Sequence, residues 1–302
     1  MDKILGGDFD IMKNENDKTT QVDFWARAWQ QASRHKRKGS WQKSNYEKSA
    51  AIWNTRADSF ARNTAREKNQ ARIQAVFEFL DFCGVNIEGM TVLDIGCGPG
   101  NYTIPLAKRA AHVWALDPAA KMLDILKARA GEGGLTNVTY LNQPWEEVDL
   151  VRKGWMGKFD LVFASMTPGV NDKETMEKMM NASRGCCYVS KFAGQRRNNL
   201  QEKLWQTMFQ ETWADSSTDI IYPFNLIYSL GYFPSLRFIS SKWINEDSVE
   251  ETIQKLTDWL AGYTDITPQI LETIRKCVLE ESADGVVKEE VEANIGMMIW
   301  RV

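Results

Sequence analysis

The chain has 302 residues, of which 43% are hydrophobic and 25% are charged, an ordinary composition for a globular protein. This length fits one large α/β domain with extensions, and it can bury a core without disulfides or structural metals. The net charge of −3 argues against a protein that coats nucleic acid with its whole surface. No run of about 18 apolar residues occurs, so the sequence predicts no membrane span.

The cysteines and histidines argue against several kinds of catalytic site. The five cysteines are sparse, and the first residues, MDKILGGDFD, lack the apolar segment of a secretory signal. We therefore expect reduced thiols and a cytoplasmic protein. His35 and His112 form no HxxxH pattern and no CxxC occurs, so the sequence predicts no metal site. The absence of GxSxG argues against a Ser–His–Asp hydrolase.

The predicted elements begin after a polar, Trp-containing arm, residues 1–49. Two helical faces follow, one through Trp53 and Phe60 and one from Ile73 to Leu80. Strands are then predicted at residues 91–95, 113–116, 138–141, 161–165 and 185–190. Helices are predicted at residues 101–110, from residue 118, and at 172–183. This alternation predicts a parallel sheet with helices on both faces.

After residue 190 the alternation becomes less regular. The sequence predicts helices at residues 200–208 and 224–230, a strand at 236–241, and two amphipathic helices at 249–260 and 270–278. The last stretch, residues 286–302, is β-rich and is either one long strand or a hairpin near Asn294.

The most informative segment is the run VLDIGCGPG, residues 92–100. A buried strand ends close to a carboxylate, a turn follows with glycine at alternate positions, and a helix begins. Glycine lets the backbone approach a ligand where a Cβ would collide, and the helix N-terminus offers free N–H groups. Asp117, at the end of the second strand, can accept hydrogen bonds from both hydroxyls of a ribose.

The glycine spacing separates two possible nucleotide cofactors. A dinucleotide site requires G-x-G-x-x-G to hold a pyrophosphate, whereas this turn has Asn101 at the position of the third glycine. Asp94 just before the turn would repel a pyrophosphate but suits a cationic amine. The expected ligand therefore carries adenosine and a zwitterionic or cationic tail.

The run VLDIGCGPGNYT, together with ALDPAAKML downstream, resembles the class I S-adenosylmethionine-dependent methyltransferases. The resemblance covers about residues 50–192 and extends more loosely over the C-terminal strands. It implies that Asp94 holds the methionine amino end, directly or through water. It also implies that Gly96, Gly98 and Gly100 line the methionine and ribose, and that Asp117 binds the ribose hydroxyls.

The same resemblance places the adenine against Pro118 and Met122, although Met122 is equally suited to core packing. The family often has an acidic residue after the third strand, where this chain has Pro144. Adenine recognition then depends on the backbone of Trp145, or on Gln143 or Glu146. The further cofactor-binding candidates, beside Asp94, Asp117 and the glycines, are Cys97, Pro118, Met122, Gln143, Trp145 and Ser165.

The fourth strand ends in the sequence Ser165-Met166-Thr167-Pro168. Family members that methylate amino groups of DNA or protein carry Asn or Asp followed by Pro-Pro-Tyr or a similar sequence, so an enzyme of that type is disfavoured. Ser165 and Thr167 are expected nearest the transferred methyl group. Thr167 and Tyr46 are the candidate catalytic residues, and Tyr102 and Asp172 are weaker candidates for a general base.

The stretch from Arg27 to Arg72 has twelve basic and three acidic residues, a net charge of +9, with Trp29, Trp41 and Trp53 interleaved. This pattern is typical either of RNA binding by charge and stacking or of a solvated helical face. We favour the solvated face, with the tryptophans covering the cofactor cleft.

These observations predict an α/β, doubly wound, Rossmann-like sheet of seven strands with the last strand antiparallel, as the resemblance implies. The expected domains are an arm or lid at residues 1–49, a cofactor-binding core at 50–195, and the remaining strands at 196–302 with a helical cap at about 245–283. The predicted function is methyl transfer from S-adenosylmethionine, which leaves S-adenosylhomocysteine, to a small-molecule acceptor. The alternative is an RNA methyltransferase, and a third possibility is a regulatory module that binds the cofactor without turnover.

Overall fold

The computed structural model describes residues 15–35, 46–65, 67–213 and 219–302. Side chains are described for residues 21–32, 49–65, 70–213 and 219–302. Trp41 lies outside the described residues, and Tyr46 begins a described helix but its side chain lies outside the described ones.

Three helices precede the sheet: α1 (Glu15–His35), α2 (Tyr46–Thr64) and α3 (Glu67–Phe82). The predicted alternation follows as β1 (Thr91–Ile95), α4 (Thr103–Ala107), β2 (His112–Asp117), α5 (Ala120–Glu132), β3 (Val138–Asn142), α6 (Leu150–Lys153), β4 (Phe159–Ser165) and α7 (Lys173–Ala182). A short 3-10 helix, Trp145–Glu147, lies between β3 and α6. The C-terminal elements are β5 (Ser183–Asn198), α8 (Asn199–Phe209), α9 (Ile221–Ser229), β6 (Ser235–Ser248), α10 (Val249–Leu260), α11 (Pro268–Glu280), β7 (Ser282–Ala283) and β8 (Val286–Arg301).

The strands form one sheet in the order β3-β2-β1-β4-β5-β8-β6, and the two-residue strand β7 pairs with β8 outside this path. Strands β1 to β5 are parallel, and β8 runs antiparallel to both of its neighbours. The expected doubly wound sheet with its last strand antiparallel is confirmed. The chain reverses its direction of winding between β1 and β4, and open α/β sheets bind ligands at such a switch point.

The last stretch of the chain is one long strand and not a hairpin. Strand β8 pairs with β5 on one side and with β6 on the other, and its pairing with β6 runs from Ser248 to Ser235. Its first half alternates between buried and exposed residues, whereas residues 295–300 are buried without interruption. The first half of β8 therefore belongs to an extension of the sheet, and the second half belongs to the core.

Apolar residues cover both faces of the sheet. One face packs against α1, α7 and α9, with Trp29, Val162 and Met298 in the same cluster. The other face packs against α3 and α4, with Leu80 and Leu106 in the same cluster. Helices of an α/β sheet must bury one apolar stripe each, and these clusters show which helices cover which face.

A separate cluster lies where β6 and β8 extend past the carboxyl ends of the parallel strands. We call α8, α10, α11 and the adjoining parts of β6 and β8 the helical extension; its core contains Leu204, Leu256 and Ile274. The extension includes the predicted cap at residues 245–283 and also α8, which precedes it in the chain.

The helical extension is tied to α2 by polar contacts. Arg56 forms an ion pair of 3.0 Å with Asp258, and Asn63 donates a hydrogen bond of 2.8 Å to the buried carboxylate of Asp247. Lys255 forms ion pairs with Asp247 and with the buried Glu289. The extension thereby fixes one side of α2.

Among the described helices, none has both the length and the apolar character that a bilayer span requires.

Candidate cofactor site

The candidate site lies at the carboxyl edge of the sheet, where β1, β2 and β4 end at Ile95, Asp117 and Ser165. A cavity opens there with about 1150 Å³ of unfilled space including its mouth. The following residues line it: Ser49, Trp53, Phe60, Arg72, Ile95, Gly96, Cys97, Gly98, Pro99, Asn101, Tyr102, Leu116, Asp117, Pro118, Met122, Pro144, Trp145, Glu146, Ser165, Met166, Thr167, Pro168 and Gly169.

The glycine turn after β1 forms the floor of this cavity. Gly96 has φ of +70°, and a Cβ at this position would overlap the hydroxyl of Thr167. Gly98 also has positive φ, and a Cβ there would point toward the ring of Phe60 at 3.9 Å. Glycine is therefore required at residue 96 both for conformation and for space. At Gly100, in contrast, a Cβ would overlap Leu126, so this glycine serves packing and does not line the cavity.

Asp117 combines burial with an acceptor role at the cavity wall. Its two carboxylate oxygens accept hydrogen bonds of 2.9 Å from the backbone N–H groups of Gly98 and Ala119. Burial raises the pKa of Asp117, and these two hydrogen bonds oppose the rise. A carboxylate has about four acceptor positions, so two remain for ligand hydroxyls.

Asp94 lies beneath the floor and does not line the cavity. It is 2% exposed and accepts a hydrogen bond of 2.6 Å from the hydroxyl of Thr103 on α4. Burial raises the pKa of Asp94 to about 7, the Thr103 hydroxyl opposes the rise, and the nearby Asp117 adds to it. A contact between Asp94 and a ligand ammonium remains a prediction.

The residues after β3 line the other end of the cavity. Trp145 is 1% exposed, and its indole Nε1 donates to the carbonyl oxygen of Thr175 at 3.1 Å. Glu146 lines the cavity, and burial raises the pKa of its carboxyl to about 7. Gln143 does not line the cavity, and its amide donates to the carbonyl oxygen of Glu147 at 3.0 Å. Of the three adenine-recognition candidates, the structure therefore brings Trp145 and Glu146 to the cavity.

The loop after β4 lines the centre of the cavity. The hydroxyls of Ser165 and Ser190 share a hydrogen bond of 2.9 Å, and the Thr167 hydroxyl accepts one of 3.1 Å from the Gly169 N–H. Met166 between them has φ of +54°, a left-handed conformation that is unfavourable for a side chain such as Met. Strained residues of this kind concentrate at ligand sites.

Several lining side chains, Phe60, Arg72 and Met166 among them, were given no role at the cofactor site by the sequence analysis. Trp53 and Phe60 of α2 meet edge to face with ring centroids 5.5 Å apart, and both line the cavity with Arg72 of α3 and Met166. The helical periodicity that places Trp53 and Phe60 on one face was the available sequence signal. Trp53 lies at the cofactor cleft, which the tryptophans were expected to cover, and Phe60 lies there beside it.

The tryptophans of the N-terminal arm lie elsewhere. Trp29 is 1% exposed and belongs to the cluster in which α1 packs against α9, with Trp25 at its edge. Neither Trp25 nor Trp29 lines the cavity, whereas Trp53 of α2 does. Among the described residues, the aromatic cover of the cavity is thus supplied by α2. The role of the arm as a lid stays a prediction.

The structure also shows what several basic residues of the stretch Arg27–Arg72 contact. Arg56 and Arg62 form ion pairs with Asp258 and Glu251 of α10. The guanidinium of Arg72 lies over the ring of Trp243 at 5.5 Å from its centroid. These three cations therefore face other parts of the protein.

The residues that are present fit S-adenosylmethionine. The cavity has a carboxylate for ribose hydroxyls, a floor without side chains at Gly96 and Gly98, and apolar surface from Pro118 and Met122. Asp117 and Glu146 give the cavity acidic groups, which suit a cationic ligand.

Within the described part of the chain, no cluster of three or more His, Cys, Asp or Glu side chains is arranged to hold a metal ion.

Comparisons with known proteins agree with this reading. Residues 92–186 match the family described as Methyltransferase domain. An uncharacterized protein of Haemophilus influenzae is 30% identical over 154 residues, which are 50% of this chain and 54% of that protein. The 23S rRNA (uracil(1939)-C(5))-methyltransferase RlmD of Klebsiella pneumoniae is 37% identical over 87 residues, which are 29% of this chain and 19% of that protein.

Solved structures are more distant. Magnesium protoporphyrin IX methyltransferase (ChlM) from Synechocystis, with bound SAH, has a TM-score of 0.44 and 16% identity over 92% of this chain and 99% of its own. The YcgJ protein from Bacillus subtilis has a TM-score of 0.46 and 13% identity over 76% of this chain and 99% of its own. The chain thus spans about half the length of the Haemophilus relative and a fifth of RlmD. Residues 92–186, which include the glycine turn, Asp117 and the β4 loop, are thus similar to a methyltransferase domain.

Proposed function

We propose that the whole chain transfers a methyl group from S-adenosylmethionine to a small-molecule acceptor. The observation that carries this proposal is the cover of α2 over the cavity. Trp53 and Phe60 lie opposite the glycine turn, so that an acceptor must fit between them and the β4 loop. A covered cavity of this kind favours a small acceptor over one held within a large polymer.

Several residues of the site then have a role in holding the cofactor. Asp117 would accept hydrogen bonds from the ribose, and Pro118 and Met122 would contact the adenine. The turn at Gly96, Cys97 and Gly98 would lie along the methionine. Gly100 would support this turn by allowing the approach of Leu126.

The bound cofactor supplies a methyl group on a sulfonium, which the acceptor nucleophile takes while the sulfur keeps the bonding electron pair as a thioether. The residues of the chain orient the acceptor and exclude water. The Thr167 hydroxyl, which lies close to Gly96 at the cavity, would hydrogen-bond an acceptor near the transferred group. Tyr46 remains a second candidate catalytic residue. An acceptor oxygen or ammonium would also need to lose a proton, whereas a thiolate would not.

The alternative acceptor is RNA. The observation that favours it is the similarity to RlmD, although this similarity covers only 19% of that protein. The pairing of Arg56 and Arg62 with acids of α10 argues against an RNA acceptor, because paired cations offer less charge to a phosphate backbone.

We further propose a cytoplasmic location, since all five cysteines are free.

Calorimetry with S-adenosylmethionine, S-adenosylhomocysteine and NAD tests the cofactor. We expect the first two to bind and NAD not to bind; tight binding of NAD alone would refute the proposal.

Transfer of labelled methyl groups to a small-metabolite fraction and to an RNA fraction of a cell extract tests the acceptor. Label in the RNA fraction only would favour the alternative, and no turnover with either fraction would favour a regulatory module.

A further inference from the structure

A second cavity lies at the amino edge of the sheet, opposite the cofactor cavity. It has a volume of about 320 Å³, which is at the small end of ligand pockets, since these span roughly 300–1,000 Å³. Four parts of the chain line it: the residues after α3, the beginning of β5, the loop before β6 and the end of β8. Cys186 in this lining pairs with Leu161 near the start of β4, which places the cavity at the amino ends of the parallel strands.

This cavity forms because β6 begins short of the end of β8. The pairing of these two strands starts at Ser235 and Ile299, so the last residues of β8 have no described strand on that side. The N–H of Val302 donates to the carbonyl oxygen of Gly185 at 3.0 Å. Because neighbouring residues of a strand direct their N–H and C=O groups to opposite sides, those of Arg301 point away from β5, toward the open side. Backbone groups in this position take a partner from water or from a ligand.

The walls of the cavity are largely apolar. Val85, Ile299 and Trp300 line it and are between 2% and 4% exposed. Phe233, which also lines it, is 84% exposed, so its ring is available to cover an apolar ligand. Removing apolar surface from water is favourable, and the cavity therefore suits a ligand with an apolar body.

The charge at the cavity is positive. Arg301 is the one charged side chain among the described residues that line it. Its guanidinium is exposed and forms no ion pair with a described residue. Burial raises the pKa of the Cys186 thiol, the charge of Arg301 opposes the rise, and Cys83 adds to it, so the cation acts on the cavity wall.

Two donors at the cavity lack an acceptor. Guanidinium N–H groups such as those of Arg301 match the two oxygens of a carboxylate in a bidentate geometry. The indole Nε1 of Trp300 is buried and makes no hydrogen bond. Buried donors are normally paired, so both side chains favour a ligand that brings acceptor oxygens.

We propose that the cavity at the amino edge binds a small apolar carboxylate. The apolar body lies against Val85, Ile299 and Trp300, and the carboxylate lies against Arg301. Aliphatic and aromatic acids present this same chemistry and differ in shape. The cavity shares no lining residue with the cofactor cavity, so the inference does not depend on the proposed function.

Cys83 provides a direct measure of occupancy. It is half-buried at the cavity, whereas the other four cysteines are buried. The rate at which iodoacetamide alkylates Cys83, followed by mass spectrometry of its peptide, therefore reports on this cavity. The probes are octanoate and benzoate, with octanol and benzyl alcohol as their uncharged counterparts.

We expect one of the acids to slow the alkylation of Cys83 in a saturable way, and its alcohol to require about tenfold higher concentration. Protection by octanoate alone identifies an aliphatic acid, and protection by benzoate alone an aromatic one. Arg301→Gln should weaken protection by the acid about tenfold and leave that by the alcohol unchanged. Arg237→Gln, at an exposed arginine of β6 outside the cavity, is the matched control. Ser235→Phe places a ring in the cavity and should abolish binding of the acid in calorimetry.

Thermal unfolding shows whether each variant is folded, and Arg301→Gln with the alcohols decides the question if Ser235→Phe does not fold. No protection by either acid would overturn the inference, as would equal protection in folded Arg301→Gln. Saturating S-adenosylhomocysteine should leave the protection unchanged. Loss of protection on its addition would show that the acid enters the cofactor cavity, and would also overturn the inference.

Discussion

The backbone N–H of Gly98 donates a hydrogen bond of 2.9 Å to Oδ2 of Asp117, which joins the turn after β1 to the end of β2. The other oxygen of Asp117 accepts from the N–H of Ala119, at the start of α5. One carboxylate therefore holds the glycine turn and the beginning of a helix in fixed positions. The residue that is expected to bind the ribose also shapes the floor on which the rest of the cofactor would lie.

We expect Asp117→Ala to weaken S-adenosylhomocysteine binding about ten- to hundredfold, since hydrogen bonds to a charged group are worth roughly 1.5–3 kcal/mol. The substitution removes the ribose acceptor and leaves the Gly98 N–H without a partner. Calorimetry measures the change. Asp124→Ala, at an exposed acid of α5, is the matched control and should bind normally. Normal affinity in a folded Asp117→Ala variant would remove Asp117 from the site.

Substitution of two glycines with similar backbone conformations separates conformational strain from crowding. Gly96 has φ of +70° and Gly134 has φ of +66°, but a Cβ would meet Thr167 only at Gly96, because nothing lies within 4 Å at Gly134. We expect Gly134→Ala to lower the free energy of unfolding by about 1 kcal/mol, and Gly96→Ala by about 2–4 kcal/mol. Urea unfolding of both variants measures these losses. Equal losses would show that the contact with Thr167 is not tight.

The buried Asp94 makes stability depend on pH. Burial raises its pKa in the folded protein to about 7, above the value of about 3.9 expected in the unfolded chain. The folded state therefore favours the protonated carboxyl, and the resulting stabilisation is complete below about pH 4 and is lost as the pH rises through 7. The loss between these limits should be roughly 1 kcal/mol per pH unit.

Urea unfolding between pH 4 and 8 tests this dependence. Asp94→Asn keeps an oxygen that can accept from Thr103, and it should flatten the decline relative to the unsubstituted protein. Glu146, whose pKa burial also raises to about 7, contributes in the same direction and is present in both proteins. Parallel pH profiles for the two proteins would contradict the raised pKa of Asp94.

Two tryptophans near the N-terminus should have separable effects. Trp29 is 1% exposed in the cluster with α9, so Trp29→Ala should cost about 3–5 kcal/mol of unfolding free energy without changing cofactor affinity per folded molecule. Trp53 lines the cavity and is only partly buried, so Trp53→Ala should weaken S-adenosylhomocysteine binding more than it lowers stability. Weaker binding in folded Trp29→Ala would instead support the arm as a lid.

The first four strands could be predicted to within about two residues because each is short, rich in β-branched and aromatic residues, and separated from the next by a helical pattern. Strand β6 was predicted as residues 236–241 but extends to Ser248. Its second half, KWINEDS, is mostly polar, so no hydrophobic pattern indicated that the strand continues. Helix α4 spans only Thr103–Ala107 within the predicted residues 101–110, and its N-terminus has no side-chain cap.

The site could be predicted where its residues are close in sequence. The glycine turn and Asp117 belong to one β-α-β unit, whose geometry is fixed by local connections, and both reach the cavity as expected. Arg72 and Phe60 reach it only because α2 and α3 pack across the sheet edge, which depends on contacts with β6 and α10. No spacing rule relates those segments to the glycine turn.

The central position of β8 has a consequence for the order in which the sheet forms. β5 and β6 leave the ribosome before the strand that separates them, and neither can complete its pairing until residues 286–301 have been synthesised. During that interval both strands expose unpaired backbone groups, which can pair with other chains. We therefore expect nascent chains that stop before β8 to aggregate and to depend on chaperones, even though the entire cofactor cavity is encoded upstream.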